Sequence, residues 1–118
     1  VLGALVLLAA TTPYGLGVIY VLTPDGSGGY TYSNLRVFQA DSPEGYWPES
    51  ALIRATDGLL YGTTSSPVQC GGSIYRISPE GDFTDLYDFS CSSGGFATAR
   101  LLQASDGNFY GVTTREGA

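Results

Sequence analysis

The sequence predicts an all-β fold of about two four-stranded antiparallel blades, incomplete at both ends and preceded by an extra apolar N-terminal strand. Three observations carry that expectation. The first is a tandem repeat: GVIYVLTPDG at 17–26 returns as GSIYRISPEG at 72–81, and ALIRATDGLLYGTT at 51–64 returns as RLLQASDGNFYGVT at 100–113. The copies lie 55 residues apart in the first pair and 49 in the second, so a loop insertion lengthens the first copy between Gly26 and Ala51. The second is composition: 17 glycines, nine tyrosines and abundant Val, Ile and Thr, with almost no helix-favouring run after position 12. The third is punctuation, because Asp-Gly or Glu-Gly stands wherever a tight antiparallel connection is required. Repeats of this length made of short strands cannot bury their own faces alone, so they stack on neighbours.

The chain divides into an apolar segment, 1–14, and a repeat region, 15–118, whose first repeat covers 15–64 and second 65–118. VLGALVLLAA at 1–10 is too short to span a bilayer. It reads as a signal-peptide core remnant or as a strand, with Leu7 to Thr12 superposed on Leu59 to Thr64. Four segments per unit follow in the order of a propeller blade. Segment a is Ala51 to Thr56 and Arg100 to Ser105; segment b is Leu59 to Thr64 and Asn108 to Thr113. Segment c is Gly17 to Thr23 and Gly72 to Ser78, and segment d is Tyr32 to Gln39 and Phe83 to Phe89. Asp57-Gly58 and Asp106-Gly107 turn a into b, while Asp25-Gly26 and Glu80-Gly81 turn c into d.

This phase leaves unfinished blades at both ends, and an open sheet edge is a template for another chain. Copies of the chain are therefore the expected partner, each completing its neighbour head to tail. Val1 to Ala10 is then a surplus strand without a partner in its own chain, and Val1, Leu2, Leu5, Val6, Leu7 and Leu8 become the residues of a strand donated to a neighbour.

Cys70 and Cys91 are the only cysteines. With Glu80-Gly81 as a two-residue turn, residues whose numbers add to 161 face each other across c and d, which sets Cys70 against Cys91, Arg76 against Asp85 and Tyr75 against Leu86. A disulfide between them would close a loop of about 20 residues, contribute on the order of 3 kcal/mol, and place the chain in an oxidising compartment.

Chemistry is thinly supplied. Histidine and lysine are absent, which removes the usual general bases and the usual activators of Ser or Cys. The Asp-Gly pairs lack the spacing of a calcium loop, and no cofactor or metal ligand set is expected. Asp82, Asp85 and Asp88 fall every third residue on an alternating strand and read as solvated charges. Five arginines against eleven acids leave no basic stripe for nucleic acid, and no membrane span is expected. Tyr14, Tyr46 and Trp47 lie in loops, where exposed rings beside carboxylates can bind sugars, although Trp47 before Pro48 reads first as a plug for the insertion of the first repeat. Tyr20, Tyr61, Tyr75 and Tyr110 recur at equivalent strand positions and are expected to pack between blades.

The Asp-Gly-x-hydrophobic-Tyr-Gly-x-Thr core at Asp57 to Thr64 and Asp106 to Thr113, the Gly-x-hydrophobic-aromatic strand with its hairpin at Gly17 to Gly26 and Gly72 to Gly81, and the closing Phe38 and Phe89 resemble the GloVer tandem-repeat family of secreted bacterial proteins. The resemblance runs from Thr11 onward. It implies an extracellular or cell-surface, propeller-like region without catalytic activity. The expected function is a non-enzymatic structural subunit that self-assembles into a filament or fibril. The alternatives are an oligomeric two-blade propeller lectin that binds carbohydrate, and a fragment of a longer surface repeat protein.

Overall fold

A computed structural model describes residues 5–8, 16–39, 47–48, 50–65, 72–90, 93–95, 100–113 and 115–117. They are all β, with no helix among the described residues. In order the strands are β1 (Leu5–Leu8), β2 (Val18–Pro24), β3 (Tyr30–Val37), β4 (Ile53–Arg54), β5 (Leu60–Thr63), β6 (Ser73–Ile77), β7 (Phe83–Asp88), β8 (Ser93–Gly95), β9 (Leu102–Gln103), β10 (Phe109–Tyr110) and β11 (Arg115–Gly117). Strands β4-β5-β6-β7 form one four-stranded antiparallel sheet, the complete a-b-c-d unit that the repeat predicts. Strands β1-β2-β3 form a second sheet, β9-β10 a third and β8-β11 a fourth. The sheets thus group a and b of one sequence copy with c and d of the next. We call β1–β3, β4–β7 and β9–β10 the first, second and third modules.

Three of the hairpin turns share one geometry, and it corrects the two-residue turn. In the second module the Ala55 N–H donates to the Leu59 carbonyl at 2.9 Å and the Gly58 N–H to the Ala55 carbonyl at 3.0 Å. Ala104, Gly107 and Asn108 repeat that pattern, as do Ser78, Gly81 and Asp82. Three residues, not two, sit in each loop, and the last is a glycine with φ of +83°, +86° or +99°. That left-handed position is the reason an acid-Gly pair recurs there: the glycine takes the third place of a type I turn with its bulge.

The extra loop residue moves the register by one. Arg76 stands opposite Thr84 and Tyr75 opposite Asp85, in place of the expected Asp85 and Leu86. A β-bulge between Ile74 and Tyr75 then restores the expected phase, so that Ser73 faces Asp88 and the Phe89 N–H donates to the Gly72 carbonyl at 2.9 Å. The first module carries its bulge at the equivalent place, between Ile19 and Tyr20, and the Phe38 N–H donates to the Gly17 carbonyl at 3.0 Å. Cys70 and Cys91 lie outside the described residues.

The N-terminal segment also differs from expectation. Leu5, Val6, Leu7 and Leu8 pair with Leu22, Val21, Tyr20 and Ile19 of β2. In the second module Leu60, Tyr61, Gly62 and Thr63 pair with Ile77, Arg76, Tyr75 and Ile74. Every residue of the first set lies 55 positions before its counterpart in the second, so β1 holds the b position of the first module. The expected absence of a partner within its own chain is corrected, and the superposition of Leu7 on Leu59 shifts by three residues. The cause is the open edge of β2: an apolar run within reach of it satisfies the row of unpaired backbone groups. Val1 and Leu2 lie outside the described residues.

Two apolar layers hold the modules together. Ile19, Phe38, Leu60, Tyr75 and Ile77 form one, with Leu16, Leu35, Leu52 and Phe83 packed on it. Ala55, Tyr61 and Leu101 form the other, with Ile53, Leu59, Ile74 and Phe109 around them. Tyr75 and Ile77 are completely buried, and burying one such side chain is worth about 2 kcal/mol.

Candidate interaction site on the repeated module face

Alternation along each strand gives a module two faces, and the repeat makes those faces equivalent from one module to the next. In the second module Leu52, Leu60, Tyr75, Ile77 and Phe83 form the front face, packed against Ile19, Leu35 and Phe38 of the first. Ile53, Ala55, Leu59, Tyr61 and Ile74 form its back face, packed against Leu101 and Phe109 of the third. Leu101 and Phe109 lie 49 residues after Leu52 and Leu60, so the third module meets the second with the same front positions that the second offers to the first.

Aromatic rings make this contact specific. Phe38 lies 5.9 Å from both Tyr75 and Phe83, tilted on one and edge-on to the other, while Tyr75 and Phe83 stack at 5.1 Å. The Arg36 guanidinium sits 4.2 Å over the Phe83 ring, a cation–π contact that caps the layer. Tyr61 and Phe109 approach to 4.2 Å between the second and third modules. Glycine shapes the same layer. Across the ladder from Tyr75 stands Gly62, where a Cβ would lie 2.7 Å from the Tyr75 ring and 2.6 Å from Leu52. The ring therefore lies across the backbone of β5.

Both outer faces repeat these residues uncovered. Leu102, Tyr110 and Val112 hold the places of Ile53, Tyr61 and Thr63, yet Tyr110 is 51% exposed where Tyr61 is 6%. On the first module Tyr20 and Tyr32 stack at 5.3 Å with an interplanar angle of 26°, reproducing the 5.1 Å and 25° of Tyr75 and Phe83. No ring covers that pair among the described residues, and Tyr32 is 54% exposed. The expectation that all four recurring tyrosines pack between blades therefore holds for Tyr61 and Tyr75 but not for Tyr110. Repeat equivalence alone could not separate them, because it fixes the face a residue lies on and not whether a neighbour covers it.

Between the back of the second module and the third lies a cavity of about 160 Å³, lined by Thr63, Ile74, Phe89, Leu101, Gly111, Val112 and Thr113. Gly111 is the counterpart of Gly62, and Phe89 of Phe38.

Polar groups pin the ends of the modules. Thr63 donates through its N–H and hydroxyl to the Ser50 hydroxyl, the latter bond at 2.8 Å, and the Ser73 N–H donates to Thr64 Oγ1 at 2.9 Å. These hydroxyls are buried and paired, as burial requires. Trp47, with φ of +58°, donates its N–H to the Leu16 carbonyl at 2.7 Å and accepts the Ser65 N–H at 3.0 Å. It is a half-buried staple between the first and second modules. Its expected companions in a sugar site, Tyr14 and Tyr46, lie outside the described residues.

The Asp-Gly turns are locked by the aspartates themselves. Asp57 accepts the Tyr61 hydroxyl at 2.6 Å and the Leu59 N–H at 2.8 Å, and these bonds hold its carboxyl below the ordinary range. Asp106 does the same with the Asn108 N–H and the Tyr110 hydroxyl, and Asp25 with Ser27. The acids read as turn residues are turn residues, and no group of three metal-ligating side chains occurs among the described residues. Asp82, Asp85 and Asp88 are exposed.

One buried polar atom stands out. Among the described residues the Tyr75 hydroxyl has no hydrogen-bond partner, and burial pushes its pKa up. An unpaired buried hydroxyl costs about 1–3 kcal/mol, so Tyr75→Phe is expected to raise stability by about 1 kcal/mol in urea denaturation. A lower midpoint for the phenylalanine variant would mean that the hydroxyl has a partner.

A model of the Gloeobacter/Verrucomicrobia repeat matches residues 8–118. No curated protein and no solved structure matches the chain.

Proposed function

The chain belongs to the Gloeobacter/Verrucomicrobia repeat family, and from that premise we propose that it is a non-enzymatic, extracellular structural subunit that associates with copies of itself by stacking module faces head to tail into a filament. One observation carries the reading. Counterparts of the residues buried between neighbouring modules recur exposed on both outer faces, Leu102, Tyr110 and Val112 on one and Tyr32, stacked on the half-buried Tyr20, on the other. The first module presents the counterparts of Tyr75 and Phe83 and the third those of Ile53, Tyr61 and Thr63, so each outer face offers one side of an inter-module contact to a further module. A contact of this head-to-tail kind propagates unless it closes into a ring. The absence of His and Lys supports a structural role, and a Cys70–Cys91 disulfide suits an oxidising compartment.

Sedimentation velocity over a wide concentration range tests the reading. Species larger than the monomer are expected to grow with concentration, as elongated particles by negative stain, and alkylation without reduction is expected to find neither thiol free. A strictly monomeric chain at high concentration removes the stacking model, and two alkylated cysteines remove the disulfide and with it the argument for an extracellular site.

A further inference from the structure

We infer that Asp25 and Gly26 form a site of spontaneous backbone modification, at which the chain rearranges through a cyclic imide to isoaspartate while the Asp57-Gly58 and Asp106-Gly107 pairs are protected. The inference is independent of how copies of the chain associate.

Three Asp-Gly pairs occur, at 25–26, 57–58 and 106–107. At such a pair the glycine amide nitrogen can attack the side-chain carboxyl carbon of the aspartate, because no Cβ crowds the approach. All three aspartates accept the N–H two residues on, at 2.8 Å from Ser27, 2.8 Å from Leu59 and 2.9 Å from Asn108. That bond folds each carboxyl back over the Asp-Gly peptide, beside the glycine nitrogen. Proximity is therefore common to the three pairs, and what separates them is the state of the two reacting groups.

At Asp57 and Asp106 both groups are occupied. The Gly58 and Gly107 N–H groups donate to the Ala55 and Ala104 carbonyls at 3.0 and 2.9 Å. The second carboxylate oxygen, Oδ2, accepts the Tyr61 hydroxyl at 2.6 Å in one and the Tyr110 hydroxyl at 2.8 Å in the other. Asp25 is placed differently. Its N–H donates to the Gly29 carbonyl at 3.0 Å, so it stands before its loop, 26–28, whereas Asp57 and Asp106 stand inside theirs. Among the described residues the Gly26 N–H has no acceptor, and nothing lies within 4 Å of where a Gly26 Cβ would be. The Ser27 N–H at 2.8 Å, the Ser27 hydroxyl at 2.7 Å and the Gly29 N–H at 3.1 Å all converge on Oδ1 of Asp25. Its Oδ2 is left without a hydrogen bond among the described residues.

This arrangement suits the rearrangement. The Gly26 nitrogen bonds to Asp25 Cγ, and the negative charge that the carboxylate shared between its oxygens gathers on Oδ1, where the donors already point. Oδ2 takes up the proton of the nitrogen and one from solvent, and it leaves as water when the Cγ–Oδ2 bond breaks, which gives the cyclic imide. Water from solvent then opens the imide. Addition at the main-chain carbonyl carbon of Asp25 breaks its bond to Gly26 and routes the chain through Cγ as isoaspartate. Addition at Cγ restores aspartate, and either route releases a proton. Nothing is oxidised or reduced, and the product has the mass and charge of the starting chain.

The full folded chain, incubated at mildly acidic pH, then reduced and digested after arginine, tests the assignment. Each of the three aspartates falls in a different peptide, in which it is the only acid. Isoaspartate is read in each peptide by transfer of a labelled methyl group with an isoaspartyl carboxyl methyltransferase. The 1–36 peptide is expected to gain label at least about tenfold faster than 55–76 and 101–115, whose pairs must first break a hydrogen bond at each reacting group. In urea the three rates are expected to converge. Ser27→Ala removes one donor to Oδ1. It is expected to slow conversion of the folded chain about fivefold and to leave the rate in urea unchanged, with circular dichroism as the control for folding. Equal labelling of the three peptides in the folded chain overturns the assignment, as does a folded Ser27→Ala chain that converts at the wild-type rate. A preference for 1–36 that persists in urea overturns it too, by tracing the effect to local sequence and not to the turn.

Discussion

Gly72→Ala is expected to cost more than about 3 kcal/mol and to leave the second module without its native pairing near the Thr64–Ser73 end. Two effects add at this position. Gly72 has φ of +80°, where a Cβ costs about 1–2 kcal/mol. The larger effect is steric: the added carbon would overlap the carbonyl oxygen of Thr64 and lie 2.7 Å from its carbonyl carbon, which are backbone atoms that no rotamer change can move. Thr64 cannot retreat cheaply, because its N–H donates to the Ser73 carbonyl at 2.9 Å and its hydroxyl accepts the Ser73 N–H. Gly107→Ala is the control. It has a similar φ of +86°, and nothing lies within 4 Å of the added carbon, so only the conformational penalty of about 1–2 kcal/mol applies. Urea denaturation of the two variants separates the contributions, and equal midpoints would refute the steric argument.

Phe38→Ala is expected to destabilise by about 3–5 kcal/mol, the range for removing a buried aromatic ring. Phe38 is 2% exposed and touches the Tyr75 and Phe83 rings from the first module, so its loss opens the layer between modules and not the interior of one sheet. The expected signature is therefore a loss of cooperativity as well as of stability: the first module unfolds at lower denaturant than the second, and the transition broadens or splits. Tyr32→Ala deletes a ring of similar size that is 54% exposed and should cost far less. A single sharp transition in the Phe38 variant, with an unchanged midpoint, would show that the modules do not depend on this ring.

Much of the architecture was legible in the residues. The tandem match at 17–26 and 72–81 located the c strands, and the Asp57-Gly58 and Asp106-Gly107 pairs located the a–b hairpins in which the structure finds them. What could not be read was register. Asp-Gly and Glu-Gly suit a two-residue turn as well as the third position of a longer one, and the choice depends on backbone hydrogen bonds such as Gly81 to Ser78. The bulges beside Ile19 and Ile74 were equally silent, since the extra residues Leu35 and Leu86 look like any strand leucine. The role of Leu5–Leu8 was obscured for a different reason. LVLL has no motif in common with LYGT at 60–63, and only pairing against β2 gives the two segments one position. The interaction site was half visible: the recurring tyrosines were evident, while the difference between a covered Tyr61 and an uncovered Tyr110 belongs to their surroundings.

The aspartate locks at the hairpins bear on how such a chain comes together in time. Asp57 reaches only to Leu59 and Tyr61, Asp106 to Asn108 and Tyr110, and Asp25 to Ser27 and Gly29, so each fastener closes within four residues of where it begins. Contacts that local form on the microsecond scale of a lone hairpin, without waiting for distant segments to find one another. Each fastened turn is an independent starting point, and zipping can set out from any of them.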